Sequence, residues 1–218
     1  ARMTEMRIAV WGLGRHALTK ILPAIAATPG LRLSGVCSRS AQQVTASASA
    51  WQCRGWNDAS LMLADRDVDI VYVATPIALH GDHGARVLNA GRHLWCEKPV
   101  TGDRAVAEDL VRMARARDLA ICEGYMYLHH PQFQQLRSLV TDGRLGAVST
   151  VIARFGIPTL DVPGFRTDPD LGGGALLDVG CYPLSALLAL FPGEACRVVH
   201  AAMATRDGWM VDTDGSAL

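Results

Sequence analysis

The sequence has no surplus of either charge: Lys plus Arg total 21 and Asp plus Glu total 21 among 218 residues. Without a basic excess there is little to attract a phosphate backbone or an anionic bilayer, so neither nucleic acid nor a membrane surface is an expected partner. The sequence also has no CxxC pair. Its six cysteines, at 37, 53, 96, 122, 181 and 196, stand apart, several of them in apolar runs such as Leu94-Trp95-Cys96. That spacing lacks the ligand pattern of zinc sites and fits reduced thiols packed as small hydrophobes in a cytoplasmic protein, so no metal is expected. Long apolar runs are missing as well. The first, Ile8 to Trp11, is too short for a secretory signal. The longest uncharged stretch, between Asp178 and Glu194, falls short of the roughly 20 residues of a bilayer span and holds Gly180, Pro183 and Pro192; it is read as a core helix. What is present is ample apolar material. Half the residues are hydrophobic and 19% charged, which suits a packed core and excludes general disorder.

From Met6 to about Glu123, short apolar runs alternate with segments of helical periodicity. The runs are Arg7 to Trp11, Leu31 to Cys37, Val68 to Val73, Arg92 to Cys96 and Leu119 to Cys122. Their near-continuous hydrophobicity suits strands buried on both faces of a parallel sheet built from βα units. Helices are expected over Arg15 to Ala27, Ala41 to Trp51, Gly81 to Ala90 and Arg104 to Arg117. Beyond Glu123 the rhythm changes to a helix at Pro131 to Val140 and an extended run at Ala147 to Phe155. A Pro/Gly/Asp-rich loop from Gly156 to Asp170 follows, then Gly172-Gly173-Gly174 and another helix. The segments Arg197 to Thr205 and Trp209 to Leu218 alternate as antiparallel strands with one covered face would. The organisation read from this is an α/β domain over residues 1–123 and an α+β domain with a mostly antiparallel open sheet over 124–218.

The first strand-to-helix junction reads Gly12-Leu13-Gly14-Arg15-His16-Ala17, a G-x-G-x-x-A fingerprint of a doubly wound, Rossmann-type sheet. Gly12 permits a tight turn, Gly14 lets backbone approach a pyrophosphate, and Ala17 allows close helix packing; the backbone of Leu13 and Arg15 completes the cradle. At the end of the second strand stand Ser38-Arg39-Ser40, where an NAD-specific protein would place an acid. Two hydroxyls around a guanidinium suit a ribose phosphate, so NADP is favoured over NAD. The other reading of those residues is a solvated arginine beside a serine helix cap.

Two further segments fall at strand ends, where ligands bind in open α/β sheets: Ala74-Thr75-Pro76-Ile77-Ala78-Leu79-His80 and Cys96-Glu97-Lys98-Pro99. With Gly172-Gly173-Gly174-Ala175-Leu176-Leu177-Asp178-Val179-Gly180-Cys181-Tyr182-Pro183 they make the chain resemble the Gfo/Idh/MocA oxidoreductases, from Arg7 to the last residue. Within that family it looks most like the NADP-dependent aldose dehydrogenases and dimeric dihydrodiol dehydrogenases. The resemblance implies that Lys98 is the active-site lysine, hydrogen-bonding the reacting oxygen as a carbonyl becomes an alkoxide or the reverse. It implies that Glu97 orients the loop and cofactor, that the bond before Pro99 is cis, and that Thr75, Pro76 and His80 border the cofactor. A packing role at a helix start fits His80 equally well.

Many relatives carry Asp and His where this chain has Asp178 and Tyr182. A phenol with pKa near 10 is a poor base at neutral pH without a cation beside it, and Lys98 would be that cation. Tyr182 is then the proton donor and acceptor and Asp178 a ligand for a substrate hydroxyl. A core aromatic is the plainer reading of Tyr182. Arg166 and Tyr125 lie in regions that line the substrate pocket in the family. The implied activity is hydride transfer between a nicotinamide and a CH-OH or C=O carbon of a sugar, cyclitol or diol. A ketoreductase on nucleotide-linked sugars and a non-catalytic dinucleotide-binding sensor are the alternatives. Relatives are commonly half as long again and often dimerise, so the chain is read as a fragment carrying a whole cofactor domain and part of the second. Such a piece is expected to expose an apolar face and a strand edge, and the full-length form to be a homo-oligomer.

Overall fold

The computed structural model describes residues 5–158 and 164–218. Contacts divide the chain into two compact units, Ala1–Gly124 and Tyr125–Leu218.

The first unit is a six-stranded, all-parallel sheet. Its strands are β1 (Met6–Trp11), β2 (Leu31–Cys37), β3 (Arg54–Trp56), β4 (Ile70–Val73), β5 (His93–Cys96) and β6 (Ile121–Glu123), in the order β3-β2-β1-β4-β5-β6. Alternation along β1 explains the layering. Ile8 and Val10 face a cluster with Val36, Tyr72 and the helices α1 (Leu22–Ala27) and α2 (Ala41–Trp51). Ala9 and Trp11 face the opposite cluster, with Val71, Val73 and Leu94 under α3 (Ala59–Ala64), α4 (His80–Asn89) and α5 (Arg104–Ala116). Every strand of the centre is therefore covered twice, as its unbroken apolar sequence demands. The short β3 and α3 were not visible in the sequence. Arg54-Gly55-Trp56 offers only three residues and no apolar run, and pairs where Gly35 of β2 leaves room: a Cβ at Gly35 would lie 2.6 Å from the Arg54 carbonyl oxygen.

Two helices depart from regularity. Where one helix is expected over Arg15 to Ala27, a π turn spans Ala17–Ile21 before α1, with the Leu22 N–H bonded to the Ala17 carbonyl. In the second unit a π turn spans Leu176–Gly180 before α7 (Cys181–Leu190), with the Cys181 N–H reaching the Leu176 carbonyl. Each π turn comes just before a proline, Pro23 or Pro183. Proline cannot donate to the carbonyl four residues back, and widening the preceding turn shifts the register where that bond would be missing.

The second unit also holds α6 (Pro131–Thr141) and the antiparallel pair β7 (Ala201–Ala204) and β8 (Asp214–Ala217). Residues 147–155, expected as an extended run, join no strand among the described residues, and Val148, Val151, Ile152 and Phe155 are exposed. A β pattern without a neighbouring strand has no ladder to join. Nor is α7 a core helix here: Leu190 is buried but Leu184 and Leu188 are exposed. Residues Pro169–Leu190 are long and apolar enough to cross a membrane by length and composition alone. The same segment contains a buried aspartate ion pair, described below. All six cysteines are free, and burial pushes the Cys37 thiol up to about 11, keeping it protonated at neutral pH.

Candidate active site

In the first unit the expected cofactor residues stand side by side because the carboxyl ends of the strands do. Past each end the ladder runs on: the Gly12 N–H donates to the Cys37 carbonyl at 2.9 Å, Ala74 to Trp11 at 2.8 Å, Glu97 to Val73 at 2.9 Å and Gly124 to Cys96 at 2.8 Å. Four loops are thus drawn into one row: residues 38–40, the glycine turn, residues 74–76 and residues 97–99. The row straddles β1 and β4, where the strand order reverses and an open sheet leaves a crevice.

The two glycines of the fingerprint do different work. Gly12 has φ +109°, and a Cβ there would lie 2.6 Å from the Ala74 carbonyl oxygen and 2.9 Å from the Thr75 nitrogen, so it is fixed by the fold. At Gly14 a Cβ would meet nothing within 4 Å, and the residue is exposed. Packing does not require glycine there, and the open space at a helix start is of the kind that fits a pyrophosphate. Leu13 is buried and Arg15 exposed. At the end of β2, Ser38 Oγ accepts from the Ser40 N–H at 3.3 Å and Ser40 Oγ from the Gln43 N–H at 3.3 Å, capping α2. Both serines therefore shape the turn, and Arg39 is left exposed at its apex.

His80 is buried beneath the loops rather than exposed on them. It is 1% exposed, with Nδ1 2.8 Å from the Pro99 carbonyl and Nε2 2.7 Å from the Thr75 carbonyl. Both partners are backbone carbonyls, so the buried ring bridges the two loops that carry Thr75 and Pro99. The Lys98–Pro99 bond is cis, as the resemblance implied. Glu97 turns inward: its Oε1 takes hydrogen bonds from Tyr72 and, at 3.1 Å, from His16, and its Oε2 takes the Lys98 N–H at 3.3 Å. Burial alone would raise this carboxyl, but the His16 and Tyr72 bonds outweigh it and hold the group below the usual carboxylate value. Lys98, at the tip of this turn, is partly buried.

His16 and His83 are functional candidates that no sequence motif singles out. His83 stacks on Trp11 with centroids 3.8 Å apart and planes at 13°, and its Nδ1 lies 3.1 Å from Thr75 Oγ1. Arg86 lies over the same indole at 5.0 Å. Burial, aided by the charges of Arg86, His80 and Arg39 against that of Asp82, lowers His83 to about 4. Unfolded, it would titrate near 6.5. The unfolded chain therefore binds more protons between those values, and stability falls as pH drops from about 6.5 to about 4. A His83→Phe protein, which keeps an aromatic ring on Trp11, is expected to lack that component. Urea midpoints across this range test it: identical pH slopes for the two proteins would remove His83 from the account.

In the second unit the expected residues fall into two groups. Arg166 Nε donates to Asp178 Oδ2 at 2.5 Å, and Asp178 is 7% exposed. The family resemblance points both toward substrate; the structure pairs them with each other. Tyr182 stacks on Phe155 at 4.9 Å and 15° and meets Tyr125 edge-on at 5.8 Å and Tyr127 at 5.9 Å. The Tyr182 ring is therefore held by three aromatics. Of the loop over Gly156 to Asp170, residues 159–163 lie outside the described residues. The helix start is tied down from afar: the Asp212 carboxylate accepts the Leu176 N–H at 2.6 Å, and its backbone carbonyl accepts the Ala175 N–H at 2.9 Å.

Residues 6–125 match the Gfo/Idh/MocA oxidoreductase family, described as having an NAD-binding Rossmann fold, and residues 133–218 match the C-terminal domain of the same family. The chain belongs to the Gfo/Idh/MocA family. Among its relatives is the dTDP-3,4-didehydro-2,6-dideoxy-alpha-D-glucose 3-reductase of Streptomyces violaceoruber, 39% identical over 98% of this chain and 62% of the relative. Another is an NADP-dependent D-xylose 1-dehydrogenase of Haloferax volcanii, 30% identical over 93% of this chain and 62% of the relative. The crystal structure of KijD10, a 3-ketoreductase from Actinomadura kijaniata in complex with NADP and TDP-benzene, is 35% identical with a TM-score of 0.90, covering 98% of this chain and 66% of that one. The chain spans about three-fifths of the length of the curated relatives it matches.

Proposed function

We propose that the chain carries the cofactor cradle and reaction residues of an NADP-dependent oxidoreductase acting on a CH-OH or C=O carbon of a sugar. The observation that carries this is the row of four strand-end loops, with the exposed Arg39, the Gly14 cradle and the Lys98 turn at the ends of β2, β1 and β5. The nicotinamide, when bound, supplies or accepts the hydride. Everything else falls to the chain. The Gly14 backbone receives the pyrophosphate, Arg39 answers a ribose phosphate, and the Lys98 ammonium stabilises charge on the substrate oxygen. Tyr182 gives or takes the proton, its ring angle set by Phe155 and Tyr125. With Asp178 engaged by Arg166, that pair acts as one unit, Arg166 orienting the carboxylate toward a substrate hydroxyl. A nucleotide-linked ketosugar is the favoured substrate class, because such reductases recur among the relatives at 32–39% identity. Retention of both Lys98 and Tyr182 speaks against a non-catalytic sensor.

The test measures NADPH and NADH binding to the wild type and to Arg39→Asp. The wild type is expected to favour NADPH by more than about tenfold, and the variant to lose about ten- to a hundredfold in NADPH affinity. A wild-type preference for NADH of tenfold would overturn the assignment of Arg39. Turnover of a panel of nucleotide-linked and free sugars then separates the substrate classes.

A further inference from the structure

His16 sits in the first turn of the helix that follows the glycine motif, and its side chain is 47% exposed. A half-exposed imidazole contributes little to packing, yet it reaches across the sheet edge to a carboxylate that is only 14% exposed. Glu97 joins three elements through its two oxygens. Oε1 takes His16 from the glycine-motif helix and Tyr72 from β4; Oε2 takes the backbone N–H of Lys98. A carboxylate with two oxygens fixed cannot rotate about its terminal bond, so whatever holds Oε1 also sets where Oε2 sits. Gly124 closes the other side: a Cβ there would lie 3.4 Å from Glu97 Cα, leaving the turn little room to drift.

We propose that His16 is a positioning residue for Lys98, acting through Glu97. By holding Oε1 it keeps Oε2 under the Lys98 amide, so the segment that cradles the phosphates also sets the lysine that meets the substrate oxygen. The proposal rests on the oxidoreductase reading for the role of Lys98, but the link itself is a property of the cofactor-free chain.

Three variants at one position test it. In His16→Gln the amide nitrogen takes the place of Nε2; in His16→Asn it takes the place of Nδ1; His16→Ala has neither. Two quantities are read: exchange of the Lys98 amide proton by NMR without cofactor, and kcat with KM for sugar and Kd for NADPH. His16→Ala and His16→Asn are expected to speed Lys98 amide exchange about tenfold while strand amides such as Leu94 stay unchanged. Losing one hydrogen bond to a charged group should lower kcat about ten- to a hundredfold, with less change in KM and Kd. His16→Gln is expected to restore both to within about threefold. Wild-type exchange and kcat in His16→Ala, or a His16→Gln protein as impaired as alanine, would overturn the proposal. A wild type that binds no NADPH would defeat the oxidoreductase reading instead, and amide exchange would still decide the His16 link.

Discussion

Lys98→Met is expected to lower kcat by about 10²–10³-fold while NADPH still binds within about tenfold of the wild-type affinity. Methionine matches the length of the lysine stem but has no donor, so the substrate oxygen would develop charge with no ammonium to meet it. The fold has little reason to change. Lys98 is partly buried at the tip of a turn, and that turn is held from below by contacts not made by its ammonium: the His80 brace to the Pro99 carbonyl, the Glu97 bonds and the Val100 N–H on Glu123. Stopped-flow measurement of nicotinamide oxidation, set beside NADPH binding by fluorescence, separates chemistry from affinity. Wild-type turnover in Lys98→Met would remove the lysine from the reaction, and lost NADPH binding would place it with the cofactor instead.

Alanine at Gly12 and alanine at Gly14 are expected to fail in different ways. At Gly12 the new Cβ would press on the backbone of Ala74 and Thr75 in a left-handed conformation, at a cost of about 2–5 kcal/mol from strain and overpacking together. A drop in the urea midpoint, or an unfolded product, would report it. At Gly14 the Cβ enters open space, so the midpoint should stay within about 0.5 kcal/mol of wild type. NADPH affinity should nonetheless fall by tenfold or more, because the methyl group takes the space a pyrophosphate needs. A Gly14→Ala protein that binds NADPH normally would show that the cradle is not the phosphate site. A Gly12→Ala protein with an unchanged midpoint would show that the turn can relax.

Much of this was legible in the sequence, for identifiable reasons. The central strands β1, β4 and β5 are apolar on both faces, and no other element produces unbroken runs of that length between helical segments. The glycine turn, the Glu97-Lys98-Pro99 turn and the Asp178-Tyr182 segment are contiguous motifs, so their residues could be named without coordinates. What escaped is what depends on meeting across the fold. His16 and Glu97, His83 and Trp11, and Arg166 and Asp178 are partners that no local pattern announces. His80 was seen as a site residue, but only its burial beneath two carbonyls shows it working from behind the surface. Ser40 was legible either as a phosphate donor or as a helix cap, and its hydroxyl accepts the capping bond from Gln43. The π turns were missed because the rule that proline kinks a helix does not say how the kink is absorbed.

The Asp212 tie links a helix start to a distant part of the chain. The amides of Ala175 and Leu176 are satisfied by a residue near β8 rather than by a neighbouring cap, and a Cβ on Gly174 would collide with that same carboxylate. The start of this helix, ordinarily satisfied locally, thereby draws on closure of a long chain loop, with the entropy that such closure costs. The first turn of the segment bearing Asp178 and Tyr182 is thus completed by a residue 36 positions away, and its stability is tied to the placement of Asp212.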